Sequence, residues 1–135
     1  MSERKSIVII PTFNEAENIV DIINEVFLLK DNFNILVVDD NSPDGTSELV
    51  KKEIELNKQR LFLIEREKKL GIGPAYINGF KWAIKNGYEN IYEMDADFSH
   101  NPKELRKNIK YFRQKKIDLL IASRYLKKSK ILNWS

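Results

Sequence analysis

Cysteine is absent from the 135-residue sequence, which excludes disulfide frameworks, thiolate zinc sites, iron–sulfur clusters and thiol nucleophiles. Histidine occurs once, at His100. No Ser or Cys motif accompanies it, so a nucleophile triad finds no support and the residue reads as part of a surface loop. Nothing approaches the roughly 20 uninterrupted apolar residues of a spanning helix. Met1-Ser2-Glu3-Arg4-Lys5 leads straight into a strand-like run, without the apolar core of a signal peptide. These absences predict a chain that is neither transmembrane nor exported by such a signal, and they permit a cytoplasmic location. The phosphate loop G-x-x-x-x-G-K-[ST] is missing, and G-x-G-x-x-G fails because Tyr76 stands where the third glycine would follow Gly71 and Gly73. No finger spacing and no aromatic RNA-binding signature occurs, so nucleic acid is not an expected partner. Internal repeats, low-complexity stretches and Pro/Ser-rich linkers are missing too, and the chain reads as a single domain over residues 1–135.

What is present is an ordinary globular balance, 42% hydrophobic and 32% charged, with its charge unevenly placed. Residues 1–102 carry 12 basic and 18 acidic groups, net −6, while residues 103–135 carry 11 and 2, net +9. The basic part either attracts an anionic partner, such as a phosphorylated ligand or a membrane surface, or is a solvated Lys-rich helix face.

Ser6–Pro11, Asn34–Val38 and Asp118–Ala122 are short, nearly all-apolar runs, the pattern of parallel strands buried on both faces. Arg60–Glu65 and Asn90–Met94 are further strand candidates. Asn14 with Glu17 resembles a capping pair ahead of the stripe Ile19, Ile22, Ile23, Val26 and Phe27, which predicts an amphipathic helix. A second helix is expected over Gly45–Asn57. A third is expected from about Pro74, with Ala75, Gly79, Phe80 and Ala83 on one side, Tyr76 and Trp82 in the core and Gly87 as its stop. A fourth starts with Asn101 as cap, Pro102 in the first helical position and Glu104 completing a capping box. The order β-α-β-α-β-α-β-α-β predicts an α/β, Rossmann-like, mostly parallel sheet with helices on both faces, whose ligands bind beyond the carboxyl ends of the strands.

Those ends are rich in carboxylates. Glu15 follows the first strand, Asp39 and Asp40 end the second, and Asp95 and Asp97 follow the fourth. Five carboxylates converging on one sheet edge would need a cation or hydrogen-bond donors, whereas Asp44 reads as a turn residue. Asp95-x-Asp97 supplies two hard oxygen ligands close in sequence, suited to Mg²⁺ or Mn²⁺ with positions left for phosphate and water. Lys68-Lys69-Leu70-Gly71-Ile72-Gly73-Pro74 is a basic, Gly-containing turn into a helix, able to bring backbone N–H groups and a cation near phosphate.

Five segments in order resemble family 2 glycosyltransferases, and among them the dolichyl-phosphate (polyprenol-phosphate) mannosyltransferases: Pro11-Thr12-Phe13-Asn14-Glu15, the Val37–Thr46 segment with Asp39-Asp40-Asn41-Ser42-Pro43-Asp44-Gly45-Thr46, Arg66–Tyr76, Met94–Pro102 with Asp95-Ala96-Asp97-Phe98-Ser99-His100, and Ser123-Arg124-Tyr125. The resemblance implies a GT-A nucleotide-sugar-binding fold. It also implies transfer of a sugar with inversion, usually mannose from GDP-mannose, to a polyprenyl or dolichyl phosphate at the cytosolic membrane face. Carried over by position, Pro11, Phe13, Glu15, Val38 and Asp40 would hold the nucleoside, and Asp95 and Asp97 the metal and diphosphate. Ala96 would give a backbone contact, and Arg124 would meet the diphosphate or sugar. Asp97 and Arg124 are the catalytic residues this likeness implies.

Phe13 stands where the family usually has Tyr, which removes a hydroxyl contact and keeps stacking. Family enzymes continue beyond the position of Ser135 with a basic loop and amphipathic membrane-facing helices, so the acceptor region is expected to be missing or supplied by a partner chain. Two alternatives remain: a nucleotide-sugar-binding module without turnover, and a phosphoacceptor receiver domain, suggested by Asp39-Asp40. A receiver would place that strand first, whereas here a β-α unit precedes it.

Overall fold

The computed structural model describes residues 6–29, 32–96 and 119–120. Five strands form one parallel sheet: β1 (Ser6–Thr12), β2 (Asn34–Asp39), β3 (Leu61–Glu65), β4 (Asn90–Glu93) and β5 (Leu119–Leu120). Their spatial order is β3-β2-β1-β4-β5. The register sets Ile7 beside Asn34 and Thr12 beside Asp39 across β1 and β2, and Ile9 beside Glu93 across β1 and β4.

Side-chain alternation along the central strands divides the core in two. Val8, Ile10, Ile35 and Val37 point to one face, where they meet Ile19, Ile22, Ile23 and Val26 of α1 (Ile19–Phe27) and Val50 of α2 (Thr46–Leu56). Ile7, Ile9, Leu36 and Val38 point to the other, against Ala75, Tyr76, Phe80 and Ala83 of α3 (Ile72–Lys85). The expected stripe of the first helix is the face that α1 buries. Gly79 lets α3 settle on β1, since a Cβ there would lie 2.6 Å from Cγ2 of Ile9.

The helix starts differ from expectation in two places. Asn14 and Glu17 do not cap α1, which begins at Ile19 behind Asn18. Asn14 is left-handed with φ 56, and the backbone N–H groups of Asn14, Glu15 and Ala16 donate to Ser42 Oγ, Thr46 Oγ1 and Asp44 Oδ2 at 2.9, 3.1 and 3.0 Å. Partners from the loop after β2 and the first residue of α2 thus hold this segment outside the helix. α3 begins at Ile72, before Pro74, because a proline in the first turn lacks only an N–H that has no helical acceptor anyway. Gly71, at φ 102, makes the turn into it, and Gly87 follows its end as expected. The fourth helix lies outside the described residues. The fifth strand is seen as Leu119–Leu120, parallel to β4.

β1, β2 and β3 run outward to one side, and α3 then carries the chain back across the opposite face to β4 on the far side of β1. The strand order therefore reverses between β1 and β4, and a crevice opens at their carboxyl ends.

Candidate functional site

That crevice is a cleft of about 230 Å³. The β1 end contributes Pro11, Thr12, Phe13 and Glu15, the β2 end Asp40 and the β4 end Asp95 and Ala96. Lys69 and Gly71 of the loop after β3, with Ile72 and Ala75 of α3, complete its lining. Of the residues singled out from sequence, Pro11, Phe13, Glu15, Asp40, Asp95 and Ala96 come together here. Val38 does not line the cleft. It is fully buried, packed with the α3 residues of the second core cluster. Asp97, His100 and Arg124 lie outside the described residues.

Of the five carboxylates expected at this edge, Glu15, Asp40 and Asp95 line the cleft and Asp97 lies outside the described residues. Among the described residues no group of three or more His, Asp or Glu side chains is arranged to hold a metal, and several carboxylates are engaged by protein donors. Asp39 Oδ1 accepts from Thr12 Oγ1 and Ser42 Oγ, both at 2.6 Å, and its Oδ2 accepts from the Ser42 N–H at 2.9 Å. It ties the end of β1 to the loop after β2. Asp44 is the turn residue expected. Desolvation pulls its pKa upward, but hydrogen bonds from Thr46 and from the Ala16 N–H outweigh this and hold it below the usual carboxylate value.

Asp40 has a role the sequence did not disclose. Arg66 grips it through Nε on Oδ1 at 2.5 Å and Nη2 on Oδ2 at 2.8 Å, and the Leu70 N–H adds 3.1 Å to Oδ2. Both residues are buried. Twenty-six positions separate them, so no local spacing could have paired them.

Asp95 also gains an unforeseen neighbour. Tyr76, expected only as core, donates from its hydroxyl to Asp95 Oδ1 at 3.0 Å. Two residues earlier, Glu93 is buried at 2% exposure, and its Oε2 has no hydrogen-bond partner among the described residues. Burial, then the nearby charge of Asp95, push its pKa up to about 8. Lys69 was legible only as part of a basic turn. Its ammonium stands 4.5 Å over the Phe13 ring at the edge of the cleft, within the range of a cation–π contact.

An open cleft at a sheet reversal, lined by the Phe13 ring, the Lys69 ammonium and the carboxylates of Glu15, Asp40 and Asp95, lies where parallel α/β sheets take their ligands. The parallel sheet with flanking helices is the GT-A glycosyltransferase fold of the solved structures it resembles. The chain belongs to glycosyl transferase family 2, whose model matches residues 7–135. It is 40% identical over 131 residues to the polyprenol monophosphomannose synthase of Mycolicibacterium smegmatis, covering 97% of this chain and 49% of that protein. The chain thus spans about half the length of this relative. Among solved structures it resembles the mannosyltransferase PcManGT from Pyrobaculum calidifontis in complex with GDP-Man and Mn²⁺, with TM-score 0.51, 31% identity and coverage of 61% of this chain and 25% of that one. It also resembles S. aureus TarS, with TM-score 0.64, 28% identity and coverage of 82% and 32%.

Proposed function

We propose that this chain carries the donor-binding part of an inverting mannosyltransferase that moves mannose from GDP-mannose to a polyprenyl or dolichyl phosphate. The observation that carries this is the placement of Asp95 and Ala96, the first two residues of Asp95-Ala96-Asp97, in the cleft between β1 and β4 that Phe13 also lines. The likeness to a polyprenol monophosphomannose synthase supports the substrate class.

In this reading Phe13 stacks on the base. Pro11, Glu15 and Asp40 shape the nucleoside pocket, with Val38 buried in the core behind it. Asp95 and Asp97 would hold Mg²⁺ or Mn²⁺, and Ala96 would give a backbone contact to the diphosphate. Asp95 suits this role as a hard oxygen donor at the cleft wall, oriented by Tyr76. The divalent cation supplies neutralisation of charge on the departing nucleoside diphosphate. Arg124 meets the diphosphate or the sugar. An acceptor phosphate oxygen forms the new bond to the anomeric carbon on the face opposite the diphosphate, and the broken bond's electron pair leaves with GDP. A phosphate monoester is largely ionised at neutral pH, so the attacking oxygen needs little help from a base.

No helix among the described residues is long and apolar enough to cross a membrane. In this reading the lipid acceptor is met at a membrane surface, on the cytosolic face that the family resemblance implies, through peripheral contact or a partner chain. A second reading is a donor-binding module without turnover.

Calorimetry with GDP-mannose and Mn²⁺, run beside a transfer assay to polyprenyl phosphate, tests both readings. Asp97→Asn keeps shape and removes charge, and it should weaken metal-dependent binding at least tenfold, about 1.4 kcal/mol. Unchanged affinity refutes the metal assignment. Tight donor binding without transfer selects the second reading.

A further inference from the structure

We propose that Arg66 is a positioning residue that acts on the donor nucleotide through Lys69. This rests on the reading of the cleft as a nucleotide-sugar site.

The loop from Arg66 to Gly71 is fastened along its length to the end of β2. At its start the Arg66 N–H donates to the Asp39 carbonyl at 2.7 Å. One residue on, Asn41 Nδ2 donates to the Glu67 carbonyl at 3.0 Å. At its far end the Leu70 N–H reaches Asp40 at 3.1 Å, and Arg66 Nη2 donates to the Gly71 carbonyl at 2.9 Å. The guanidinium therefore joins the carboxylate of Asp40 to the last residue of its own loop, a connection that needs the planar fork of Arg.

Lys68 and Lys69 stand between these fastenings, and Lys69 lies over Phe13. It is the one cation among the described residues of the cleft lining, which otherwise carries the carboxylates of Glu15, Asp40 and Asp95. A lysine on a free loop would lose rotamer and backbone freedom on meeting an anionic ligand. Here the loop is ordered beforehand by a buried ion pair. Asp40 thus contributes to the donor site by anchoring that pair, and its Oδ1, which receives one donor, keeps a lone pair for a ligand.

The test is a double-mutant cycle on the whole chain, reading Mn²⁺-dependent GDP affinity by calorimetry beside the melting temperature. Lys69→Ala is expected to weaken binding about tenfold and to reduce its salt dependence. Arg66→Lys, which keeps the charge and loses the fork, should weaken it comparably, and the double variant should bind no worse than either single one. Losses that multiply, or parent-like affinity in Arg66→Lys, overturn the proposal. If Arg66→Lys does not fold, Asn41→Gly, which suits the left-handed backbone at φ 56, loosens the same loop from its exposed side. It should weaken GDP binding in the parent background and have no further effect in Lys69→Ala; any other pattern overturns the proposal. Absence of Mn²⁺-dependent GDP binding by the parent chain overturns the nucleotide reading with it, whereas multiplying losses in a binding-competent chain overturn only the coupling.

Discussion

The hydroxyl of Tyr76, in the second turn of α3, donates to Oδ1 of Asp95 beyond the end of β4. A helix packed mainly on β1 and β2 thereby orients the carboxylate proposed to hold the cation. Tyr76→Phe removes one hydrogen bond and no bulk, a change of about 1 kcal/mol. It should weaken Mn²⁺-dependent GDP binding several-fold while leaving the metal-free fold nearly as stable. Calorimetry of the two proteins checks this, and equal affinities would remove Tyr76 from the site.

Asp40 and Asp44 should separate sharply in stability. Asp40→Ala leaves Arg66 buried without its counter-charge, a situation that costs about 3–5 kcal/mol. Asp44 is exposed and ties two loops by hydrogen bonds, so Asp44→Ala should cost about 1 kcal/mol. Urea midpoints at unchanged slope measure both. A smaller loss from Asp40→Ala than from Asp44→Ala would contradict the buried pair.

Gly79→Ala places a methyl 2.6 Å and 2.9 Å from Cγ2 and Cδ1 of Ile9. Ile9 is fully buried at the centre of the sheet, so α3 must shift, at a cost of about 1–3 kcal/mol. Thermal melts of the variant should fall accordingly. A melting temperature at or above that of the parent would show that α3 and β1 can part without loss.

Glu93 predicts a pH dependence. Its carboxyl is raised from 4.5 to about 8 in the folded chain, so over that interval the folded state keeps a proton that the unfolded state has released. Stability must then fall as pH rises from about 4.5 to about 8 and level off above. Glu93→Gln should remove this component, on the order of a few kcal/mol. Metal-free urea titrations from about pH 5 to about pH 9 decide the matter, because they span the folded-state value: parallel curves for parent and variant would refute it.

Much of this was legible along the chain. The apolar runs at Ser6–Pro11 and Asn34–Val38 became buried strands, and the Ile19 to Val26 stripe became the inner face of α1. Asp44 was readable as a turn residue from its place before Gly45. Asn14 was misleading because a capping pattern a few residues ahead of the real start is locally plausible. Only the approach of Ser42, Asp44 and Thr46 from another loop and the start of α2 showed that its own N–H and those of its neighbours had other acceptors.

By itself the sequence determined the alternation of strands and helices, the faces they bury and the motifs at the strand ends. These depend on side-chain periodicity and turn chemistry within a few residues. The tertiary structure decided the rest: the reversal that opens the cleft between β1 and β4, the grip of Arg66 on Asp40, the reach of Tyr76 to Asp95 and the stacking of Lys69 on Phe13. The three side-chain pairs join residues 19 to 56 positions apart. Such pairs meet only once helices have packed on opposite faces of a completed sheet, and packing of that kind is a property of the whole chain's buried surface rather than of any local pattern.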